Sequence, residues 1–143
     1  MATKKINNVF LKQLERAIES NLSAYALQNI LRDLERFIYV NPKNIRALII
    51  YAHYQLKNSR PDLAGEASSR IVHLSPQNIK GRSLLLRCYT LIGDNQKALE
   101  TAKSLKLEAL TDIKTLEIIG RTLVFNEEYA LAKEVFARLT VIK

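Results

Sequence analysis

Cysteine occurs once, at Cys88, and tryptophan not at all. A lone thiol excludes an intramolecular disulfide and every CxxC metal or redox motif, so a reducing, cytoplasmic setting is expected. Three prolines and four glycines leave little room for disordered linker. Aromatics are 7% of the chain. Leu, Ile and Ala carry the apolar content instead, which favours helices packed on helices over strands. No uncharged apolar stretch approaches the ~18 residues of a membrane span. The first twenty residues lack the apolar core of a signal peptide before Lys12 and Glu15. Catalytic motifs are also missing. His53 and His73 are isolated, and HExxH, GxGxxG, P-loop and GxSxG patterns do not occur. Cys88 lies in the apolar run LLLRCYTL, where a buried, inert thiol is expected. The Glu127–Glu128 pair is expected in the first turn of the last helix, where negative charge suits the helix dipole better than a catalytic role suits it. No enzymatic activity, cofactor or metal is expected.

What is present is a repeat. A chain of 143 residues that is 48% hydrophobic and 25% charged has the profile of one soluble globular domain. The step from Pro42 (VNPKN) to Pro76 (LSPQN) recurs between Ala64, Ala98 and Ala132, and between Ile71, Leu105 and Leu139. The same step from Asn78 reaches Asp112, at the start of another helical stretch. The stretch from Ser75 to Leu105 states the motif most clearly: a helix, a break at Gly93 to Asn95, and a second helix. Ala98, Leu99, Ala102 and Leu105 form an i, i+1, i+4, i+7 apolar stripe. Pro61 suits the first turn of a helix, with Ser59 before it as a candidate cap. Asn44, Asn78 and Thr111 are further candidate caps. Eight helices follow, over 6–20, 24–39, 45–57, 61–74, 79–92, 95–107, 113–125 and 127–141, after a polar lead-in, MATKKINN.

With these motifs the chain resembles the tetratricopeptide repeat family, whose helix-turn-helix unit is about 34 residues long. The units align as Leu11–Asn44, Ile45–Asn78, Ile79–Asp112 and Ile113–Lys143, a single domain over 1–143. Small residues at the eighth and twentieth positions, where paired helices approach, are present as Ala52 with Ala64 and Gly120 with Ala132. Leu86 with Ala98 fits less well, and Ile18 with Ile30 departs from the pattern. The resemblance implies an all-α, right-handed α-solenoid of four repeats with one concave and one convex face. The chain ends inside a helical pattern, so Val135, Leu139 and Ile142 are expected to expose an apolar strip that a longer chain or a second copy covers.

The resemblance also implies a site. In this family the first helix of each unit lines the concave face, through its second, fifth, ninth, twelfth and thirteenth positions. The second position is basic in all four units: Lys12, Arg46, Lys80 and Lys114. Ile49, His53, Ser83, Arg87, Leu91, Arg121 and Phe125 join this groove, with Glu15 and Glu19 making one end acidic and Lys57 at the thirteenth position of the second unit. The expected role is a protein-interaction scaffold whose basic groove binds an acidic or amphipathic segment of a partner protein. Arg87 and Arg121 would engage carboxylates bidentately. Against this stands a plain solvated basic face. Two other roles compete: a small tetratricopeptide chaperone of a bacterial secretion system, and a helical-repeat RNA-binding module. The net charge of +8 suits RNA, but it is spread evenly along the chain and forms no basic arm, so nucleic acid is the weaker expectation. The clamp for acidic chaperone tails wants Lys and Asn at the fifth and ninth positions, and Glu15 with Glu19, or Ile49 with His53, do not match it.

Overall fold

A computed structural model describes residues 2–20 and 22–142, with side chains from residue 7 onward. These residues form eight α-helices and no strand: α1 (Ala2–Glu19), α2 (Ala24–Val40), α3 (Ile45–Lys57), α4 (Pro61–Leu74), α5 (Ile79–Ile92), α6 (Asn95–Ser104), α7 (Ile113–Phe125) and α8 (Tyr129–Ile142). A single 3₁₀ turn, Leu107–Ala109, follows α6. Among the described residues no helix is long and apolar enough to cross a membrane. Three ends differ from the sequence reading by two residues or more, the start of α8 at Tyr129 rather than 127 among them. The expected polar lead-in is already helical from Ala2, and α6 stops at Ser104 rather than running to 107.

Helices α3, α5 and α7 begin alike. Asn44 accepts a hydrogen bond from the Ala47 N–H at 3.0 Å, Asn78 from Gly81 at 2.9 Å, and Asp112 from Thr115 at 3.2 Å. Each cap satisfies a donor that the first helical turn leaves unpaired. The cap of α7 is thus Asp112 and not Thr111. A carboxylate there also accepts from the Thr115 hydroxyl and suits the helix dipole.

The turns inside the helix pairs are also alike. Ser59, Gly93 and Glu127, at one position in successive repeats, have φ of 59°, 88° and 61°. The residue after each donates its N–H back five residues: Arg60 to Gln55, Asp94 to Tyr89, Glu128 to Leu123. This is the Schellman closure, in which a left-handed residue lets the chain turn out of the helix. Two expectations are corrected here. Ser59 does not cap α4: it ends α3, and Arg60, whose side chain pairs with Asp62, precedes Pro61 at the helix start. Glu127 and Glu128 lie ahead of α8, not in its first turn, and the Glu128 carboxylate meets Lys103 Nζ at 2.8 Å.

The pairs stack side by side. Helix α1 touches α3, α3 touches α5, and α5 touches α7, so the first helices form one row. Three apolar clusters run along the stack. The first joins α1, α2 and α3 through Leu11, Leu34 and Ile50; the second joins α3, α4 and α5 through Leu48, Ile71 and Leu84; the third joins α5 to α8 through Leu86, Leu116 and Val135. Full burial of such a side chain is worth about 1.5–3 kcal/mol. Helices α3 and α5 feed a cluster on either side, as Leu84 and Leu86 of α5 do. Ala52 and Ala64, fully buried, let α3 and α4 approach closely. Bulkier Ile18 and Ile30 stand at those positions in the first pair, and α1 and α2 touch far less. Arginines fasten the connections between pairs. Arg70 donates to the Pro42 carbonyl at 2.9 Å, and Arg138, two repeats further on, to the equivalent Leu110 carbonyl at 3.3 Å.

The apolar strip expected at the last helix lies elsewhere. Val135 and Leu139 are buried against α7, and Ile142 packs on the same cluster. These side chains face their own pair. The exposed large apolar residues of α8 are Tyr129, Leu131, Phe136 and Val141, and the Phe136 ring leans on Gly120 of α7.

Candidate protein-binding groove

The row of first helices brings part of the expected site together. His53 from α3 and Lys80, Ser83 and Arg87 from α5 line one depression of about 250 Å³. Leu84 and Leu110 are buried in its floor, and Asp112 and Thr115, at the start of α7, close its far side. The α5 residues meet there because a helix presents positions three and four apart on one face. Asp112 and Thr115 were not foreseen as groove residues. The repeat step from Asn78 to Asp112 was the available signal, since a cap of α7 necessarily sits beside the inner row.

The groove divides into two electrostatic halves. In the half nearer the N-terminus, cations are already engaged. Arg46 grips Glu15 with two hydrogen bonds, of 2.8 and 3.3 Å, across the α1–α3 contact. That guanidinium holds the Glu15 carboxyl below the usual carboxylate range. Lys57 donates to the Ile18 carbonyl at 2.8 Å, at the negative end of the α1 dipole. Lys12 is exposed on α1. In the other half, Lys80, Arg87, Lys114 and Arg121 enter no close ion pair among the described residues, and Glu117 stands between Lys114 and Arg121 on α7; Lys114, Glu117 and Arg121 lie outside the depression. Arg46 therefore does not offer the open charge that its column position suggested.

His53 registers the same field. Its ring reaches solvent, but the concavity crowds it. This desolvation, then the nearby Arg87 and Lys80, push its pKa below the ordinary 6.5; Glu19 and Asp112 pull weakly the other way. Both the crowding and the two cations favour the neutral ring.

The apolar members separate too. Ile49 is half-buried and packs against the α3–α5 cluster, so it serves the core. Leu91 and Phe125 are 62% and 68% exposed, at the same position near the ends of α5 and α7. Each stands one turn beyond Arg87 or Arg121 on its own helix, so the apolar and the basic side chain of each helix share a face. The arrangement offers positive charge, one polarisable imidazole and two apolar contacts. Cys88 is buried between α4 and α5, where burial raises its thiol pKa. Among the described residues no group of three His, Cys, Asp or Glu is placed to hold a metal ion.

No curated protein matches the chain in sequence at a significant level. Solved structures do match its fold. A crystal structure of MamA superposes with a TM-score of 0.72 at 16% identity, over 82% of this chain and 69% of that one. A MamA mutant gives 0.72 at 16% identity over 94% and 76%, and MamA of MSR-1 gives 0.65 at 19% identity over 82% and 67%. At this identity the likeness concerns the fold alone. Family membership rests on the sequence, which matches the pattern of one protein family from residue 8 to residue 135, from within α1 to within α8. The family takes its name from what its members bind rather than from the repeat: the chain belongs to the ChAPs, the Chs5p-Arf1p-binding proteins.

Proposed function

We infer that this chain is a docking module whose concave face holds an acidic segment of a partner protein. The observation that carries this reading is the charge left open in the second half of the groove. Lys80, Arg87, Lys114 and Arg121 enter none of the close ion pairs among the described residues, with Glu117 the carboxylate on α7 between the last two, while Arg46 is satisfied by Glu15. Isolated like charges on one face repel one another, and an anionic ligand relieves that repulsion. Leu91 and Phe125 add apolar contact, so the favoured ligand carries acidic and apolar residues together. The family's name supplies two candidates, Chs5p and Arf1p. Protein binding also accords with the absence of recognisable catalytic motifs in the sequence.

The test is titration of the chain with purified Chs5p and with purified Arf1p. At least one is expected to bind, and the double variant Arg87→Glu, Arg121→Glu is expected to weaken it by roughly tenfold or more. Both side chains are at least partly solvent-exposed, so helicity by circular dichroism is expected to stay unchanged. Equal binding by a fully helical double variant would remove the groove from the account.

A further inference from the structure

The fifth position of the first helices is Glu15, Ile49, Ser83 and Glu117 in turn. It lies three residues after the second position and four before the ninth, so the three share one helix face. In α7 a carboxylate, Glu117, therefore stands between Lys114 and Arg121. In α1 the carboxylate at that position, Glu15, pairs with Arg46 of the neighbouring helix. Helix α5 breaks the pattern. It keeps both cations, Lys80 and Arg87, but places the short, neutral Ser83 between them. The anion that α7 carries within its own helix is missing from α5, and the depression of about 250 Å³ lies at that place.

The Ser83 hydroxyl is also unusual. Buried or half-buried hydroxyls elsewhere in the helices have acceptors. Ser68, Thr101 and Thr122 donate to the carbonyl four residues earlier, at 2.7, 2.8 and 2.8 Å, and Thr115 donates to Asp112. Ser83 is half-buried in the wall of the depression, and its hydroxyl bonds to no described residue. The charge around it is net positive. The titratable groups lining the depression are His53, Lys80, Arg87 and Asp112. Asp112 is already engaged, since one of its oxygens accepts both the N–H and the hydroxyl of Thr115. At His53, Arg87 and Lys80 outweigh Glu19 and Asp112.

An ammonium, a hydroxyl and a guanidinium thus face one space. A carboxylate brings one charge and two oxygens, which a guanidinium alone can satisfy. A phosphorylated side chain brings a charge of about −1.5 to −2 and three strong acceptor oxygens. It can meet all three donors and balance both cations. Leu91, one turn beyond Arg87 and exposed, adds an apolar contact that suits a phosphate carried on a peptide over a free one.

We propose, resting on the docking role of the groove, that the depression at Ser83 is a subsite for a phosphorylated serine or threonine of the acidic partner segment. The phosphate takes the place between two cations that Glu117 holds in the register of α7. Lys80 and Arg87 neutralise it, and the Ser83 hydroxyl donates to it.

Three synthetic peptides of aspartate and leucine residues test this, alike except for one central position: serine, phosphoserine or glutamate. Affinity is read by fluorescence anisotropy and contacts by amide shifts in nuclear magnetic resonance. The phosphoserine peptide is expected to bind roughly tenfold or more tighter than the serine peptide, and tighter than the glutamate peptide. It is expected to shift the amides of Lys80, Ser83 and Arg87. Ser83→Glu gives α5 the residue that α7 carries, and is expected to erase the preference with helicity unchanged. Lys80→Gln is expected to reduce it, and Lys114→Gln, outside the depression, to leave it intact. A preference that survives Ser83→Glu, or glutamate replacing phosphoserine without loss, would overturn the subsite. So would displacement of the phosphoserine peptide by inorganic phosphate at comparable concentration, which assigns the place to a free anion. Equal binding of all three peptides, still abolished by Arg87→Glu with Arg121→Glu, would remove the subsite and keep the groove. No binding of any peptide would also overturn it, and the titration with Chs5p and Arf1p then decides the groove separately.

Discussion

Ser59, Gly93 and Glu127 hold one backbone conformation, and only glycine adopts it without strain. A left-handed residue with a Cβ is disfavoured by about 1–2 kcal/mol, while glycine loses about 0.5–1 kcal/mol more chain entropy on folding. Ser59→Gly and Glu127→Gly are therefore expected to stabilise the fold by about 0.5–1 kcal/mol each, and Gly93→Ala to destabilise it by a similar amount, read from urea midpoints at constant slope. His53 gives a prediction of another kind. Its folded pKa lies below its unfolded value, so as pH falls below about 6.5 the unfolded chain takes up the proton first. Stability contributed by the neutral ring is present above that pH and lost on descending towards the folded pKa. A bound anionic segment acts in the opposite sense: it raises the His53 pKa, so affinity is expected to rise over the same descent. Stability and affinity measured from pH 7.5 to 5.5 would show both trends, and His53→Gln would flatten them.

At the level of helices, the first pair is the loosest. Ile18 and Ile30 stand where Ala52 and Ala64 draw α3 and α4 together. In α2 only Leu34 is fully buried among the described residues. Hydrogen exchange is expected to be faster across α2 than across α3 to α5, because opening α2 exposes less apolar surface; equal protection would contradict this. The departure at Ile18 and Ile30 was legible in the sequence, as were the boundaries of α3, α4, α5 and α7, since a fixed repeat spacing, an early proline and side-chain caps all act locally. The left-handed turns at Ser59 and Glu127 were not legible, because only glycine announces such a residue by its identity. The neutralised half of the groove was not legible either. Glu15 and Arg46 lie on different repeats, and their pairing depends on the distance between α1 and α3, which no motif encodes. That pair is about two-fifths exposed on each side, so solvent screening holds its worth to about 0–1 kcal/mol.

On the scale of the whole molecule, basic side chains recur along the inner row at Lys80, Arg87, Lys114 and Arg121. Association of an acidic partner with the inner row is expected to slow as salt rises, because exposed charges more than about 10 Å apart are largely screened at about 0.1 M salt. Stopped-flow rates across a salt series would show the dependence in the association rate more than in dissociation. Dissociation is expected to respond instead to Phe125→Ala, which removes an apolar contact. The three equal turns carry a mechanical implication as well. Each acts as the fulcrum of a lever: a helix of 14 residues, the length of α4, α5 and α8, is roughly 21 Å long, so a tilt of about 10° at its turn displaces the far end by roughly 4 Å. A change of one dihedral angle at Gly93 would swing α6, α7 and α8 together and reset the gap between Arg87 and Arg121, altering which partner fits without touching any residue that contacts it.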